Sequence, residues 1–274
     1  MEYSIKQVCV DDRSLREIRE LLSVVFPKTD KFTFDYLGWQ YKENPLGEIV
    51  GFNAYRGDEL AAHYVAMPVE MCLFGVRRKG LLSLNTATHP EHQGKRLFSN
   101  LAERTYSLAR EHGYEYVIGV ANGNSTHGFL KNLGFYLVSP LMIKFGFGMN
   151  LFPNSLPRCY RIWDSKTLEW RLRNPATKYY FNQGIITSPK CFMGVKVIVG
   201  KTDLFQDISL KSYFRPVNLY VGLGSNPSKG IYFNVPGFIK HSPFNLIFKD
   251  LTNGSLPCLK KEDVFFQLLD FDVI

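Results

Sequence analysis

The stretch from Leu84 to Phe98, LNTATHPEHQGKRLF, brings together residue types that can hold an anion. A strand-like run, Leu84 to Thr88, breaks at His89-Pro90 and turns through Gln93-Gly94-Lys95-Arg96 into an amphipathic helix. Free N–H groups at a helix N-terminus carry partial positive charge, and Lys95 and Arg96 add two full charges where a diphosphate could sit. A solvated turn uses the same Gly-Lys-Arg, so the pattern alone leaves both readings open. A second glycine-rich segment, Gly222 to Gly230, misses the GxxxxGK[ST] spacing and is interrupted by Pro227, so it reads as an ordinary loop. The cysteines, Cys9, Cys72, Cys159, Cys191 and Cys258, are odd in number, widely spaced and without a CxxC pair. They predict reduced thiols, no zinc or other metal site and no disulfide framework.

The elements that must position this stretch follow from periodicity. Tyr3 to Val10 alternates as a first strand, and Asp11-Asp12 offers a cap for a helix whose apolar face is Leu15, Ile18, Leu21, Leu22 and Val25. A second helix is expected over Phe34 to Lys42, ended by Asn44-Pro45. An antiparallel meander follows: Glu48 to Tyr55, Leu60 to Pro68, Glu70 to Phe74, and Val76 into Thr88. After the Gly94 turn, Leu97, Leu101, Tyr106, Leu108 and Ala109 face inward from a helix that stops at Gly113. Tyr114 to Val120 reads as a buried strand, and the corner Asn122-Gly123-Asn124-Ser125 leads into a short helix, His127 to Asn132. Strands at Phe135 to Val138 and Leu141 to Gly148 complete a first unit ending near residue 150.

The 274 residues allow one large domain or two ordinary ones, and 45% hydrophobic against 21% charged residues predicts a packed core. A net charge of +8 favours anionic partners, but the cations are scattered and there is no basic tail, so nucleic acid is not expected. The N-terminus lacks a signal pattern and no window approaches a membrane span, which predicts a soluble, cytoplasmic protein without membrane insertion. Oligomeric state carries no signal. An internal echo is visible: Asp35 to Pro45, with Trp39 before Asn44-Pro45, is matched by Ser165 to Pro175, with Trp170 before Asn174-Pro175. Both copies precede strand-like runs, so residues 151–274 are expected to be a degenerate copy of residues 1–150, without a counterpart of the Gln93 to Phe98 turn.

The order of elements and the turn Gln93-Gly94-Lys95-Arg96-Leu97-Phe98, together with the later Leu133-Gly134-Phe135, resemble the GNAT acyltransferase superfamily in its tandem form. The resemblance follows the element order over residues 1–150 and is close over about 84–135. It implies a mixed α/β fold with a mainly antiparallel twisted sheet flanked by helices. It implies transfer of an acetyl or other short acyl group from acetyl-coenzyme A, a co-substrate, to a small-molecule primary amine by direct attack on the thioester. Coenzyme A would then lie against Asn85, Thr86, Ala87 and Thr88, the turn residues Gln93 to Phe98, and Asn124. A backbone N–H there, assigned by position to Thr86, would stabilise the tetrahedral oxyanion.

This sequence departs from the family pattern at three positions. Arg96 stands where the family has a glycine, Phe98 where it has a glycine or alanine, and Leu130 where many members have an acid-catalytic tyrosine. Glu70, His63 and His127 are candidate bases, each also explained as an ordinary strand, core or helix-start residue. Tandem members that use a C-terminal carboxylate suggest Asp272 or Ile274 instead. The acceptor is expected to be an amine such as an amino sugar or its nucleotide. Trp39, Tyr41, Trp170, Arg171 and Arg173 would line its cleft or belong to the core. The competing class is a non-catalytic module that binds coenzyme A or serves in assembly or regulation.

Overall fold

The computed structural model describes residues 2–27, 29–148, 157–182, 184–189, 195–202, 204, 216–224, 231–235 and 243–271. The chain runs β1 (Ser4–Gln7), α1 (Asp12–Val25), α2 (Phe34–Tyr41), β2 (Val50–Arg56), β3 (Glu59–Leu73), β4 (Val76–Thr88), α3 (Leu97–Glu111), β5 (Tyr116–Ala121), α4 (Gly123–Asn132), β6 (Tyr136–Pro140) and β7 (Met142–Phe147). It continues through β8 (Cys159–Arg161), α5 (Ser165–Leu172), β9 (Tyr180–Asn182), β10 (Ile185–Ser188), β11 (Val195–Lys201), β12 (Val217–Leu223), β13 (Ile231–Asn234), β14 (Asn245–Asp250) and β15 (Val264–Gln267). Among the described residues no helix is long and apolar enough to cross a membrane.

The expected mixed, mainly antiparallel sheet is present, and helices cover both of its faces. Along β3, Val65, Met67, Val69 and Met71 join a core shared with α1, α2 and α5, while Ala62, Tyr64 and Ala66 join one shared with α3 and α4. That alternation is the two-residue period of a strand, and burial on both sides explains why β3 reads as a nearly continuous apolar run. The expected break at Pro68 does not occur. Pairing with β2 ends at Ala66, so Pro68 costs no ladder bond on that side, and its carbonyl accepts from Asn44 Nδ2 at 2.9 Å. The helix expected from His127 begins instead at Gly123, because Asn122 accepts from the backbone of Asn124 and Ser125 and Ser125 closes a reciprocal capping box.

The two halves exchange strands. β14, from the C-terminal half, lies between β5 and β6 and is antiparallel to both, with Leu246 opposite Val120 and Ser139. Reciprocally, β7 lies between β12 and β13, with Phe145 opposite Leu219 and Phe233. The parallel pair β4–β5 has its counterpart in the parallel pair β11–β12. The repeated tryptophans meet at the join: their rings stack at 4.8 Å, Trp39 Nε1 donates to the Trp170 carbonyl at 2.8 Å, and Trp170 Nε1 to the Trp39 carbonyl at 3.0 Å. A cut at residue 150 therefore separates strands that hydrogen-bond to each other.

Side chains hold β14 in place. Phe248 stacks on Tyr116 at 5.3 Å and packs on Tyr136 at 5.8 Å, and Lys249 Nζ donates to the Leu133 carbonyl that ends α4. Residues 1–150 expressed alone should accordingly show no cooperative thermal unfolding and no near-UV circular dichroism. A peptide spanning residues 243–252 should restore both, and a fragment that folds cooperatively without it would contradict this account.

Candidate active site

The site begins where β4 and β5 part. Their parallel pairing runs from Gly80–Tyr116 to Ser83–Gly119 and stops there. Immediately beyond, β4 is bulged: Leu84 faces Val65 and Ala87 faces His63, so Asn85 and Thr86 share the space opposite Tyr64. Asn85 sits at φ 47°, the left-handed region that asparagine tolerates better than most residues. A cleft of about 600 Å³ opens at this point. Its floor is Ser83 to Thr86 and Gly119 to Ala121, one wall is Asn122, Ser125 and Phe129 of the β5–α4 corner, and the other is Val25, Phe26, Pro27, Thr29, Lys31 and Phe32 at and beyond the end of α1. Phe244 and Ile247 close it from the exchanged segment.

A buried polar chain supports the bulge. Asn85 Nδ2 donates to Gln40 Oε1 at 2.6 Å and to the Tyr41 hydroxyl at 3.1 Å. That hydroxyl lies 3.0 Å from His63 Nε2, and His63 Nδ1 lies 2.6 Å from Asn53 Oδ1. Buried polar groups are tolerated when each has a partner, and here the chain fixes α2, β2 and β3 against Asn85, the first residue of the bulge in β4. Burial lowers the His63 pKa to about 3 and raises that of Tyr41. His63 is therefore a neutral strut inside the fold, not a base facing the cleft.

Next along the chain, Gly94 at φ 74° and Arg96 at φ 57° make two left-handed steps into α3. Arg96 thus adopts the conformation for which glycine is favoured, which accounts for the shape of the turn without a glycine at that position. Arg96 is the N-cap of α3 and makes no side-chain capping bond, so the first N–H groups of α3 have no cap from that residue. The Arg96 side chain is exposed. Lys95 turns back on its own loop: Nζ donates to the Glu91 carbonyl at 3.1 Å and lies 5.8 Å from the centre of the Tyr3 ring. Phe98 packs edge-on against Phe129 at 5.1 Å and Tyr64 at 5.9 Å, fitting over Gly128, where an added Cβ would come within 3.0 Å. It fills the α3–α4 junction.

The structure brings some of the expected residues together and disperses others. Asn85 and Thr86 line the cleft, Ala87 is buried and Thr88 pairs with Ala62. Asn124 is exposed and donates its N–H to Asn122, so the corner meets the cleft through Asn122 and Ser125. Glu70 is paired with Arg77, His127 is exposed, and Leu130 packs beside the α3–α4 core, none of them on the cleft lining. Trp39 and Trp170 are core residues, and Tyr41 reaches the site only through Asn85. Arg171 is buried and grips the carbonyls of Leu269 and Phe271, while Arg161 grips that of Asp270. Burial pushes Asp270 up to about 6, against the pull of Arg161. Phe271 packs on Phe244 with ring centres 6.3 Å apart, beside the cleft wall. Asp272 and Ile274 lie outside the described residues.

Residues 10–138 match the sequence model of the acetyltransferase (GNAT) domain. The same fold is found in a probable N-acyltransferase, a conserved protein of unknown function from Enterococcus faecalis V583, at TM-score 0.63 and 9% identity, over 92% of this chain and 73% of that one. It is found again in a GCN5-related N-acetyltransferase from Anabaena variabilis ATCC 29413, at TM-score 0.60 and 10% identity, over 91% and 74%. No curated protein sequence matches the chain. The match to the GNAT domain spans residues 10–138, just under half of the chain, and the two solved structures share its fold.

Two substitutions test this geometry. Arg96→Ala and Arg96→Gly both remove the guanidinium, but only alanine retains a Cβ in the left-handed region, at about 1 kcal/mol or more. Arg96→Gly should be the more stable of the two by about 1 kcal/mol in urea denaturation, despite glycine's extra freedom when unfolded. For His63, unfolding lets the ring take up a proton below its ordinary pKa of about 6.5. Its neutral form contributes fully above that pH, and the contribution is lost as pH falls towards 3. Between pH 6 and 4 the wild type should lose about 1.4 kcal/mol per pH unit relative to His63→Gln. Asp270 acts with the opposite sign but cancels in that comparison. A pH-independent difference would contradict the neutral buried ring.

Proposed function

We propose that this protein is an acyl-coenzyme A-dependent N-acyltransferase that moves a short acyl group, acetyl foremost, onto a primary amine. The observation that carries the reading is the cleft opened by the parting of β4 and β5 at the Asn85 bulge, with the Gln93–Arg96 turn and the start of α3 following directly on the same strand. An extended pantetheine arm would pair with the edge of β4 over Asn85 to Thr88. The diphosphate would lie at the N-terminus of α3, held by backbone N–H groups of Gly94 to Phe98 and by the exposed Arg96. Gln93 and Asn124 would border this path.

In the reaction a base takes a proton from the substrate ammonium and the amine attacks the thioester carbonyl. The Thr86 N–H receives the developing oxyanion, and collapse expels the thiolate, which is protonated in turn. Leu130 has no proton to give, and this favours water as the donor. The base is assigned to Asp272, in the segment after Phe271. Support comes from the buried arginines that fix Leu269 to Phe271 and from the contact of Phe271 with Phe244 on the cleft wall. Among the described lining residues Lys31 alone is charged. Val25, Phe26, Phe32, Phe129, Phe244 and Ile247 suit an amine on an aromatic or aliphatic frame, while Ser83, Asn85, Thr86, Asn122 and Ser125 offer the hydrogen bonds that the hydroxyls of an amino sugar would need. The second half is read as a degenerate copy that supplies β14, Phe244 and the tail.

Acetyl-coenzyme A at a hundredfold over its Kd should stabilise the fold by about 2.7 kcal/mol, read as a rise in melting temperature. Thiol release should then appear with some members of a panel of primary amines. Removing residues 272–274 should abolish release and leave the thermal shift intact. Binding with no release for any amine would favour the coenzyme A-binding module, to which Leu130 also points. No thermal shift would remove both readings.

A further inference from the structure

Just before the anion turn, three side chains from two segments converge on a point that the acyl-transfer reading does not use. They are Glu59 at the start of β3 and, from the single helical turn Pro90–His92, its N-cap His89 and its last residue His92. One ligand-type atom from each lies within 4.8 Å of the other two. His92 is wholly buried, yet its Nε2 makes no hydrogen bond. That nitrogen lies 3.3 Å from Glu59 Oε2, at ion-pair distance without hydrogen-bond geometry.

The other ring nitrogen is occupied. His92 Nδ1 lies 2.9 Å from the Tyr3 hydroxyl, and the two rings meet edge-on at 5.7 Å. When Nδ1 donates to Tyr3, the Nε2 lone pair points at a carboxylate oxygen, an arrangement that is repulsive unless a cation sits between them. His89 accepts the Glu91 N–H through Nδ1 at 3.4 Å, which leaves its Nε2 for a ligand. A buried nitrogen without a partner is costly, and a metal would relieve that cost.

The geometry points to a divalent transition-metal site, zinc foremost, formed by Glu59, His89 and His92 with solvent completing the coordination. Two imidazoles and a carboxylate are a donor set that suits zinc. Ligands at about 2.0–2.1 Å in a tetrahedron stand about 3.4 Å apart, close to the His92–Glu59 separation, and the half-exposed Glu59 and His89 have room to close the third edge. The Tyr3 hydroxyl supplies the outer hydrogen bond that orients a ligating histidine. Such an ion would pin the end of the β2–β3 hairpin and the N-terminal segment to the base of the Gln93–Arg96 turn. The Lys95 bond to Glu91 and its contact with Tyr3 tie the turn to the same point. Metal binding should then tighten coenzyme A binding by pre-ordering the turn.

The inference does not depend on acyl transfer. Full-length protein stripped with EDTA and titrated with zinc chloride by calorimetry should bind one zinc per chain, with micromolar or tighter affinity and a higher melting temperature. The cobalt-loaded protein should lack the strong near-ultraviolet band of thiolate ligation, which separates this site from the cysteines. Glu59→Gln and His89→Ala, both at accessible positions, should each weaken zinc binding at least tenfold while keeping a folded spectrum. Absence of saturable binding, a thiolate band, or unchanged affinity in both variants would overturn the proposal. So would a Glu59→Gln protein that melts lower while zinc changes neither its melting nor the wild type's, since that describes an ion pair alone.

Discussion

Parallel strands that separate partway along their length leave backbone groups in need of other partners, and in this protein that constraint shapes everything around it. β4 and β5 stay paired only as far as Ser83 and Gly119. Past that point β4 must leave the plane of its ladder, and it does so through a bulge whose left-handed asparagine is held from beneath by Gln40 and Tyr41. The support is polar because its target is an amide, and it is buried because α2 lies across the sheet there. His63 and Asn53 complete the accounting, so that no member of the chain is left without a hydrogen bond.

What could be read in the sequence was what neighbours in the chain decide. The face of α1, the helix after Gly94 and the meander leading to Thr88 follow from periodicity and turn residues. The Trp39 and Trp170 echo was also visible, though the mutual hydrogen bonds between the two tryptophans were not. The early start of α4 was legible in principle, since Asn122 and Ser125 have capping-box spacing. Asn85 and Gln40 lie far apart in sequence, and nothing local marks a glutamine in an apolar helix as the strut for an asparagine in a strand. Phe244 belongs to a segment whose place between β5 and β6 is set by pairing across the whole chain. Arg96 shows another limit. A turn that favours glycine can be built with arginine when the strain is modest, so the departure from pattern altered the chemistry at the turn more than its shape.

The buried arginines of the C-terminal half are costly to bury, and their hydrogen bonds explain their presence. Arg161 and Arg171 donate to the carbonyls of three consecutive residues, Leu269 to Phe271, and Arg171 also donates to the Tyr179 hydroxyl. Burial lowers the Arg161 pKa to about 10, which still leaves it charged at neutral pH, and Arg161 moderates the rise at Asp270. Trp163 adds a hydrogen bond to the Asp270 carboxylate at 2.9 Å. Residues 269–271 are thereby held by backbone recognition, so their identity matters less than their path.

The reciprocal placement of β7 and β14 also sets a schedule for the ribosome. When β5 and β6 emerge, the strand that belongs between them is still about a hundred residues from being made, roughly 5–20 s at ordinary synthesis rates. During that interval both strands present open edges, and β7 has left for a partner sheet that does not yet exist. The nascent N-terminal half is thus a natural client for chaperones, and its risk of pairing with a neighbouring nascent chain ends only when Asn245 to Asp250 arrives.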